Sequence, residues 1–273
     1  MLDKVYKKHN SFFSFKDKSL VDAEATVNRI LIVKEKKIGL SNLSSSHKEL
    51  LEQAIKDLTN KNDDITKTKF KLFENVIAEA ASLSDKDLLK YIVHRYRYEI
   101  FPQTKTLDEY PPCLQIEPSS VCNFRCIFCF ETDKTFTNKK NGFMGRISLD
   151  LFKKIIDEAQ NNIEFITLAS RGEPLVCKDI VKMLEYTRGK FLNLKINTNA
   201  SLLDEEKCHA ILSGGVKTVV FSADAADEKL YSKLRVNGKL KEVLKNIERF
   251  QKIREKHYSK NLIITRVYWS KIF

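Results

Sequence analysis

The run Leu114-Gln115-Ile116-Glu117-Pro118-Ser119-Ser120-Val121-Cys122-Asn123-Phe124-Arg125-Cys126-Ile127-Phe128-Cys129 joins a short apolar, strand-like segment to three cysteines spaced C-x3-C-x2-C. Three thiolates can hold three irons of a cubane [4Fe–4S] cluster and leave the fourth iron open. An open iron is a place for chemistry, so the triplet points to an enzyme more than to a structural fastener. The loop follows a strand, and α/β folds place their chemistry at the carboxyl ends of strands.

A zinc site, a ferredoxin-type site and a buried thiol core compete for the triplet. A closed zinc site needs four ligands, commonly two C-x2-C pairs or Cys with His. Here the next cysteine is Cys177, the next histidine is His209, and no second C-x2-C follows. An ordinary ferredoxin site needs a fourth thiolate. Cys113 sits at the opposite end of the strand and should point away from the loop. Three buried core thiols fit poorly with Asn123 and Arg125 between them. Cys113, Cys177 and Cys208 are read as core thiols.

Downstream the pattern alternates. Strand-like runs occur at 114–117, 165–168, 194–197, 218–222 and 262–267, with helix-like runs at 151–160, 180–188, 205–213 and 239–254. Ser148 and Asp204 are plausible N-caps, and Gly214-Gly215 can end one helix and turn into the next strand. Repeated βα units imply a parallel sheet with right-handed crossovers. Upstream, residues 1–105 read as a mostly helical N-terminal region without recognisable chemistry, distinct from 106–273. Ser46-His47-Lys48-Glu49 forms a capping box before Leu50, Leu51, Ala54, Ile55 and Leu58. Phe70, Phe73, Val76, Ile77 and Ala80 suggest a second amphipathic helix. Ser84 with Asp87 opens a third, carrying Leu88, Ile92 and Tyr96. Residues 27–40 suggest a strand or hairpin.

The chain has 273 residues, 42% of them hydrophobic and 10% aromatic, enough for a sizeable core. Lys and Arg total 48 against 36 Asp and Glu, a formal charge of +12. Most of the excess lies after residue 110. A basic cleft would suit anionic ligands, although a solvated lysine-rich surface explains the charge more simply. No RNA-binding motif or arginine tract argues for nucleic acid. The N-terminus has no apolar signal core, and Ile30-Leu31-Ile32-Val33 is too short to span a bilayer. The expectation is a cytoplasmic protein away from membranes, in which thiols stay reduced and cysteines serve as ligands or core residues.

Further motifs accompany the triplet in order. Ser170-Arg171-Gly172-Glu173-Pro174 follows the second strand, Asn197-Thr198-Asn199 ends the third, Ser222-Ala223-Asp224-Ala225 ends the fourth, and Leu230-Tyr231-Ser232-Lys233-Leu234-Arg235 comes next. Over about 112–273 the chain resembles the radical S-adenosylmethionine (SAM) family. That family's signature is CxxxCxΦC with an aromatic at Φ, here Phe128. The later motifs are similar to its Gly-Gly-Glu-Pro, Thr-Asn-Gly and Ser-x-Asp-Gly elements. The segment 230–235 is similar to the peptide- and protein-modifying branch that often carries a SPASM or twitch domain. Arg171, Ala200 and Ala225 stand where the family has glycine.

The resemblance implies an α/β fold, a partial (β/α)6 radical SAM barrel, and an enzyme that uses a [4Fe–4S] cluster and SAM. It implies that Cys122, Cys126 and Cys129 bind the cluster, and that SAM is cleaved reductively to methionine and a 5′-deoxyadenosyl radical that abstracts hydrogen. By the same resemblance, Phe128 lies beside the adenine and the segment Gly172–Glu173 accepts hydrogen bonds from the SAM ammonium. Gly172 lets backbone approach the cofactor, and Pro174 holds the turn rigid. Ser222 and Asn199 are candidates for the ribose or amino-acid portion, Arg235 for the carboxylate, and Asp224 is a weaker candidate. The expected partners are a reductant such as flavodoxin or ferredoxin and a peptide or protein substrate. The fifth strand runs to the end of the sequence, so the barrel is expected to be incomplete, without a sixth strand or SPASM-type domain. A catalytically incompetent iron–sulfur fragment and a zinc-stabilised interaction protein are the alternatives.

Overall fold

A computed structural model describes residues 12–60, 68–259 and 264–268. They fall into two compact units divided between Glu109 and Tyr110. Among the described residues no helix is long and apolar enough to cross a membrane.

The N-terminal unit contains helices α1 (Phe12–Glu35), α2 (Ser45–Thr59), α3 (Glu74–Ser82) and α4 (Asp85–Thr104). Arg29 on α1 ties three of them together. It donates to Ala80 O at 2.8 Å and Leu83 O at 2.7 Å, at the end of α3, and to Asp85 Oδ1, which opens α4. The strand or hairpin expected at 27–40 is instead the end of α1 and the turn after it. Its apolar residues follow the helical period, with Ile30 and Val33 buried and Leu31 and Ile32 exposed. The N-cap of α2 is Ser44, not Ser46, because Ser44 Oγ accepts from the His47 N–H at 3.2 Å. Phe70 precedes α3 and is buried, whereas Phe73 is its exposed N-cap. Ser84 opens α4, and Leu88, Ile92 and Tyr96 lie in the core as expected.

The C-terminal unit is built on five parallel strands. They are β1 (Cys113–Ile116), β3 (Phe165–Leu168), β4 (Asn193–Thr198), β5 (Val216–Ser222) and β7 (Ile264–Tyr268), in the order β1-β3-β4-β5-β7. Two shorter strands, β2 (Arg125–Cys126) and β6 (Arg235–Val236), pair with each other apart from this sheet. Between the strands run α6 (Leu149–Ala159), α7 (Ile180–Tyr186), α8 (Glu205–Ser213), α9 (Glu228–Leu234) and α10 (Leu240–His257). The short helix α5 (Lys134–Thr137) lies in the long loop after the cysteines. Ser148 and Asp204 cap α6 and α8 by accepting from the N–H of Leu151 and Lys207. Gly214 ends α8, and Gly215 turns the chain into β5 at φ +87°.

Alternation along the strands divides the sheet into two faces. One carries Ile166, Leu168, Leu194, Ile196, Val219 and Phe221, buried against Phe152, Met183, Ile211 and Phe250 of the helices. The opposite parity places Thr167, Asn193, Lys195, Asn197 and Thr218 on the other face. There the register aligns Gln115, Thr167, Lys195 and Thr218 in one row. Cys177 and Cys208 are core thiols, but Cys113 is exposed, because it opens an edge strand before the helices reach it.

Candidate functional site

The cysteine loop leaves β1 and is held from two directions. Its far side forms the antiparallel ribbon of β2 with β6, in which Cys126 stands opposite Arg235. The Ile127 N–H extends this ribbon to Leu234 O at 3.0 Å. Phe124 plugs into the core beneath the loop, and Gly238 leaves the space its ring fills. The near side is fixed by an amide network. Asn123 Nδ2 donates to Ser201 Oγ at 2.8 Å, and Asn199 Nδ2 donates to Asn123 Oδ1 at 3.0 Å. Ser201 N–H and Oγ both donate to Asn199 Oδ1.

Nitrogen donors surround two of the sulfurs. The Phe124 N–H lies 3.4 Å from Cys122 Sγ, Asn199 Nδ2 4.0 Å from the same atom, and Arg235 Nη1 3.8 Å from Cys126 Sγ. Burial pushes the Cys122 thiol up to about 11. It also raises Cys126, against the lowering effect of Arg235. Without a metal these groups stay protonated at neutral pH, and a cation must displace the protons.

After β3, Arg171 stands in the turn Ser170–Pro174, directly before Gly172. Its N–H, Nε and Nη2 all donate to the Glu117 carboxylate, at 2.8, 3.2 and 3.0 Å. Burial pushes that carboxyl up, but the Arg171 and Ser170 hydrogen bonds and the Arg171 charge outweigh it, so Glu117 titrates below its ordinary range. Gly172 packs directly on the cysteine-loop backbone. A Cβ there would stand 2.0 Å from Ser119 O and 2.7 Å from Ser120 C. Its lack of a side chain therefore serves contact with the chain itself, a different reason from the expected approach to a cofactor.

Glu173 is fully buried and its carboxylate is already engaged. Oε1 accepts from Thr198 Oγ1 at 2.7 Å and the Leu175 N–H at 3.1 Å, and Oε2 accepts from the Asn199 N–H at 2.7 Å. Its own N–H donates to Val121 O at 3.1 Å. The residue links the ends of β1, β3 and β4, and burial raises its carboxyl. Pro174 opens the short 3-10 turn Pro174–Val176, as its fixed φ suits.

Ser222 ends β5 and is half-buried. Arg235 is 7% exposed, and its guanidinium is shared. Nε donates to Asp224 Oδ2 at 2.5 Å, Nη2 also pairs with Asp224, and Nη1 faces Cys126. The carbon of the guanidinium lies 5.8 Å from the Phe128 ring centroid, and that ring is half exposed. The two-bond fork expected for a ligand carboxylate is thus occupied by Asp224. Asp224, the weaker candidate of the Ser222-Ala223-Asp224-Ala225 motif, completes the site together with Asn123, Ser201 and Glu117, for which local sequence carries no signal.

The donor set suits an iron–sulfur cube. Three free cysteines share one loop, and N–H groups are turned toward two of their sulfurs, where they would stabilise thiolate charge and tune the potential of a bound cluster. Among the described residues no three His, Cys, Asp or Glu side chains are gathered closely enough for one metal ion. The thiolates of a cube bind three different irons, so they stand farther apart than ligands of a single ion.

A family model described as the radical SAM superfamily matches residues 116–265. The chain belongs to the radical SAM superfamily. That family uses a [4Fe–4S] cluster and SAM. The chain is 32% identical over 140 residues to a GTP 3′,8-cyclase of Campylobacter lari, covering 50% of this chain and 41% of the relative. It is 34% identical over 113 residues to a tungsten-containing aldehyde ferredoxin oxidoreductase cofactor-modifying protein of Pyrococcus furiosus, covering 41% and 30%. The matched region spans less than half the length of either radical SAM relative. Among solved structures, Streptococcus suis SuiB bound to S-adenosylmethionine is 19% identical, with 82% of this chain and 50% of that chain covered and a TM-score of 0.49.

Proposed function

We propose that this chain is a radical SAM enzyme in which Cys122, Cys126 and Cys129 hold the cluster and the open iron takes SAM. When bound, the two cofactors supply a 5′-deoxyadenosyl radical that abstracts hydrogen from a C–H bond, here of a peptide or protein substrate. The chain's own residues hold and screen the site. The ribbon at Cys126 and the amide network at Cys122 fix the loop from both sides. The Phe128 ring, half exposed beside Arg235, offers a flat apolar surface for the adenine. Ser222 presents its hydroxyl at the end of β5 for the ribose or amino-acid portion. The Gly172–Glu173 segment accepts the SAM ammonium through backbone, because the Glu173 carboxylate is engaged elsewhere. Pro174 keeps that backbone in place. Arg235 and Asn199 act on the cysteines first, and either reaches SAM only through hydrogens left over from those bonds. The electron comes from a reductant such as flavodoxin or ferredoxin.

The observation that carries the proposal is the pair of N–H donors turned toward Cys122 and Cys126 by Asn199 and Arg235, 77 and 109 positions away. The peptide assignment is supported by the likeness of 230–235 to the peptide-modifying branch. A second reading, a nucleotide substrate, is favoured by the named cyclase relative. The test is anaerobic reconstitution of the 273-residue chain with iron and sulfide, followed by dithionite and SAM. The expected product is 5′-deoxyadenosine, absent when all three cysteines are replaced by alanine. A cluster spectrum with no 5′-deoxyadenosine would mean a cluster-binding module without turnover. Zinc at stoichiometric amounts with no iron uptake would overturn the cluster assignment.

A further inference from the structure

The central strand β4 carries three polar side chains of one parity, Asn193, Lys195 and Asn197, on the sheet face away from the helices. Such a row is unusual in a parallel strand, which normally reads as continuously apolar. Among the described residues, Asn193 Oδ1 and Asn197 Oδ1 are both buried without a hydrogen-bond partner. Among those same residues Lys195, half-buried between the two, has no hydrogen bond or ion pair. Its neighbours in the same row are Thr167 and Thr218, which carry no charge. Glu117, of the same parity beyond edge strand β1, is already held by Arg171. Orphaned buried acceptors are costly, and a native chain keeps them where something else completes them; the Lys195 side chain places a positive charge on the same row between them.

The chemistry of the missing partner can be read from the row. Lys195 offers a cation to an anionic acceptor. The two amide oxygens need N–H or O–H donors, which neither a carboxylate nor an ionised phosphate supplies. The two amide nitrogens are donors and match carbonyl oxygens. An acidic residue within a peptide has all of these, a side-chain carboxylate flanked by backbone amides. Spacing agrees, because an extended peptide and a strand share a rise of about 3.3 Å per residue, which puts each asparagine roughly 7 Å from the lysine.

We propose that the Asn193, Lys195 and Asn197 row binds an extended segment of the substrate peptide at an acidic side chain, Lys195 pairing with its carboxylate and the asparagines with its flanking amides. This rests on the peptide reading under Proposed function and narrows it to acidic sequences. The test is a titration of the full chain, labelled with nitrogen-15 at asparagine, with the probes acetyl-Gly-Glu-Gly-amide and acetyl-Gly-Gln-Gly-amide. The Asn193 and Asn197 side-chain signals are assigned by Asn193→Ser and Asn197→Ser. Both signals move with the Glu probe, at a dissociation constant about ten-fold below that of the Gln probe, as loss of one charge-assisted bond predicts. Lys195→Gln erases the difference and Lys195→Arg keeps it. Equal response to both probes, no movement, or discrimination that survives Lys195→Gln would overturn the proposal. Stronger movement with GTP than with the Glu probe would also overturn it, in favour of a nucleotide. The titration needs no SAM cleavage, so its failure leaves the 5′-deoxyadenosine result standing, and the converse holds.

Discussion

Replacing Gly172 by alanine tests whether the second strand-end turn is packed on the cysteine loop or merely lies near it. An added Cβ would meet Ser119 O at 2.0 Å and the carbonyl carbons of Ser120 and Ser119 at 2.7 and 2.8 Å, where ordinary contact begins at 3.4 Å. All three atoms are backbone, so no side chain can swing aside, and one segment must move by about an ångström. Residues 118–121 resist that movement. Val121 O accepts from Glu173 N–H at 3.1 Å, Pro118 O from Ile147 N–H at 3.1 Å, and Ser120 N–H donates to Gly145 O at 3.0 Å. Losing one or two of these bonds, at about 1 kcal/mol each, on top of about 1–3 kcal/mol for overpacking, gives a cost of roughly 2–5 kcal/mol. Gly172 does not have a positive φ, so backbone conformation adds nothing.

The assay is thermal unfolding with hydrogen exchange on the peptides spanning 117–121 and 165–176. For a unit of this size the expected fall in Tm is roughly 4–20 °C, with faster exchange in both peptides and lower iron uptake on reconstitution. Gly145→Ala is the internal control. It lies on the cysteine loop, across from Ser120, with nothing within 4 Å of an added Cβ, and its expected effect is between zero and about 1 kcal/mol of stabilisation. A Gly172→Ala chain as stable as the Gly145→Ala chain would refute the packing argument.

Two further outcomes follow from the same geometry. Glu117→Gln costs about 1 kcal/mol at pH 7, discounted because the Arg171 partner is partly exposed. A carboxyl lowered in the folded state contributes above its unfolded value near 4.3 and loses that contribution as pH falls through the folded value. The stability gap between wild type and Glu117→Gln therefore closes below about pH 4, measured by urea unfolding across pH, and a gap that widens there would contradict the pairing. Among the cysteines outside the triplet, Cys113 alkylates first, because it is exposed, while Cys177 and Cys208 are buried and burial pushes Cys208 up to about 12. Native iodoacetamide labelling read by mass spectrometry checks the order, and fast labelling at Cys208 would count against the core assignment.

The β/α half of the fold was legible because its strands end on turn residues and its helices carry local caps. The expected strand at 165–168 and helix at 205–213 coincide with β3 and α8, and Ser148 and Asp204 cap as their types suggest. The N-terminal half was less legible. Val27, Ile30, Ile32 and Val33 are β-branched and favour a strand locally, but burial of Ile30 and Val33 on one helical stripe overrides that preference. Three serines in succession, Ser44 to Ser46, offer alternative caps, and only the hydrogen bond to His47 chooses among them. In the site, the cysteines and the strand-end motifs were readable because each is local. The contacts among them were not. Arg235 meets Cys126 across 109 positions and Asn199 meets Asn123 across 76, and no spacing rule reaches that far.

The three positions where the chain departs from its family's glycines show how such a site tolerates side chains. Ala200 keeps the left-handed backbone a glycine would supply, at φ +59°, which costs an alanine about 1–2 kcal/mol. Its fully buried methyl returns about 0.8 kcal/mol. Its N–H on Thr198 Oγ1 and its carbonyl, accepting from Asn246, hold the turn closed. At Ala225 the strain has moved one residue back. Asp224 carries φ +64°, which Asp tolerates better than most residues, and Arg235 fixes its carboxylate. Arg171 needs no positive φ. It brings a charge to the end of β3, and that charge is met by Glu117 at the end of β1. Each replacement is thus balanced by other residues of the site: Thr198 and Asn246 at Ala200, Arg235 beside Ala225, and Glu117 at Arg171. Reverting Arg171 to glycine while leaving Glu117 in place should therefore destabilise the chain, whereas changing both together should not, and a double-mutant cycle that shows no coupling between them would break this account.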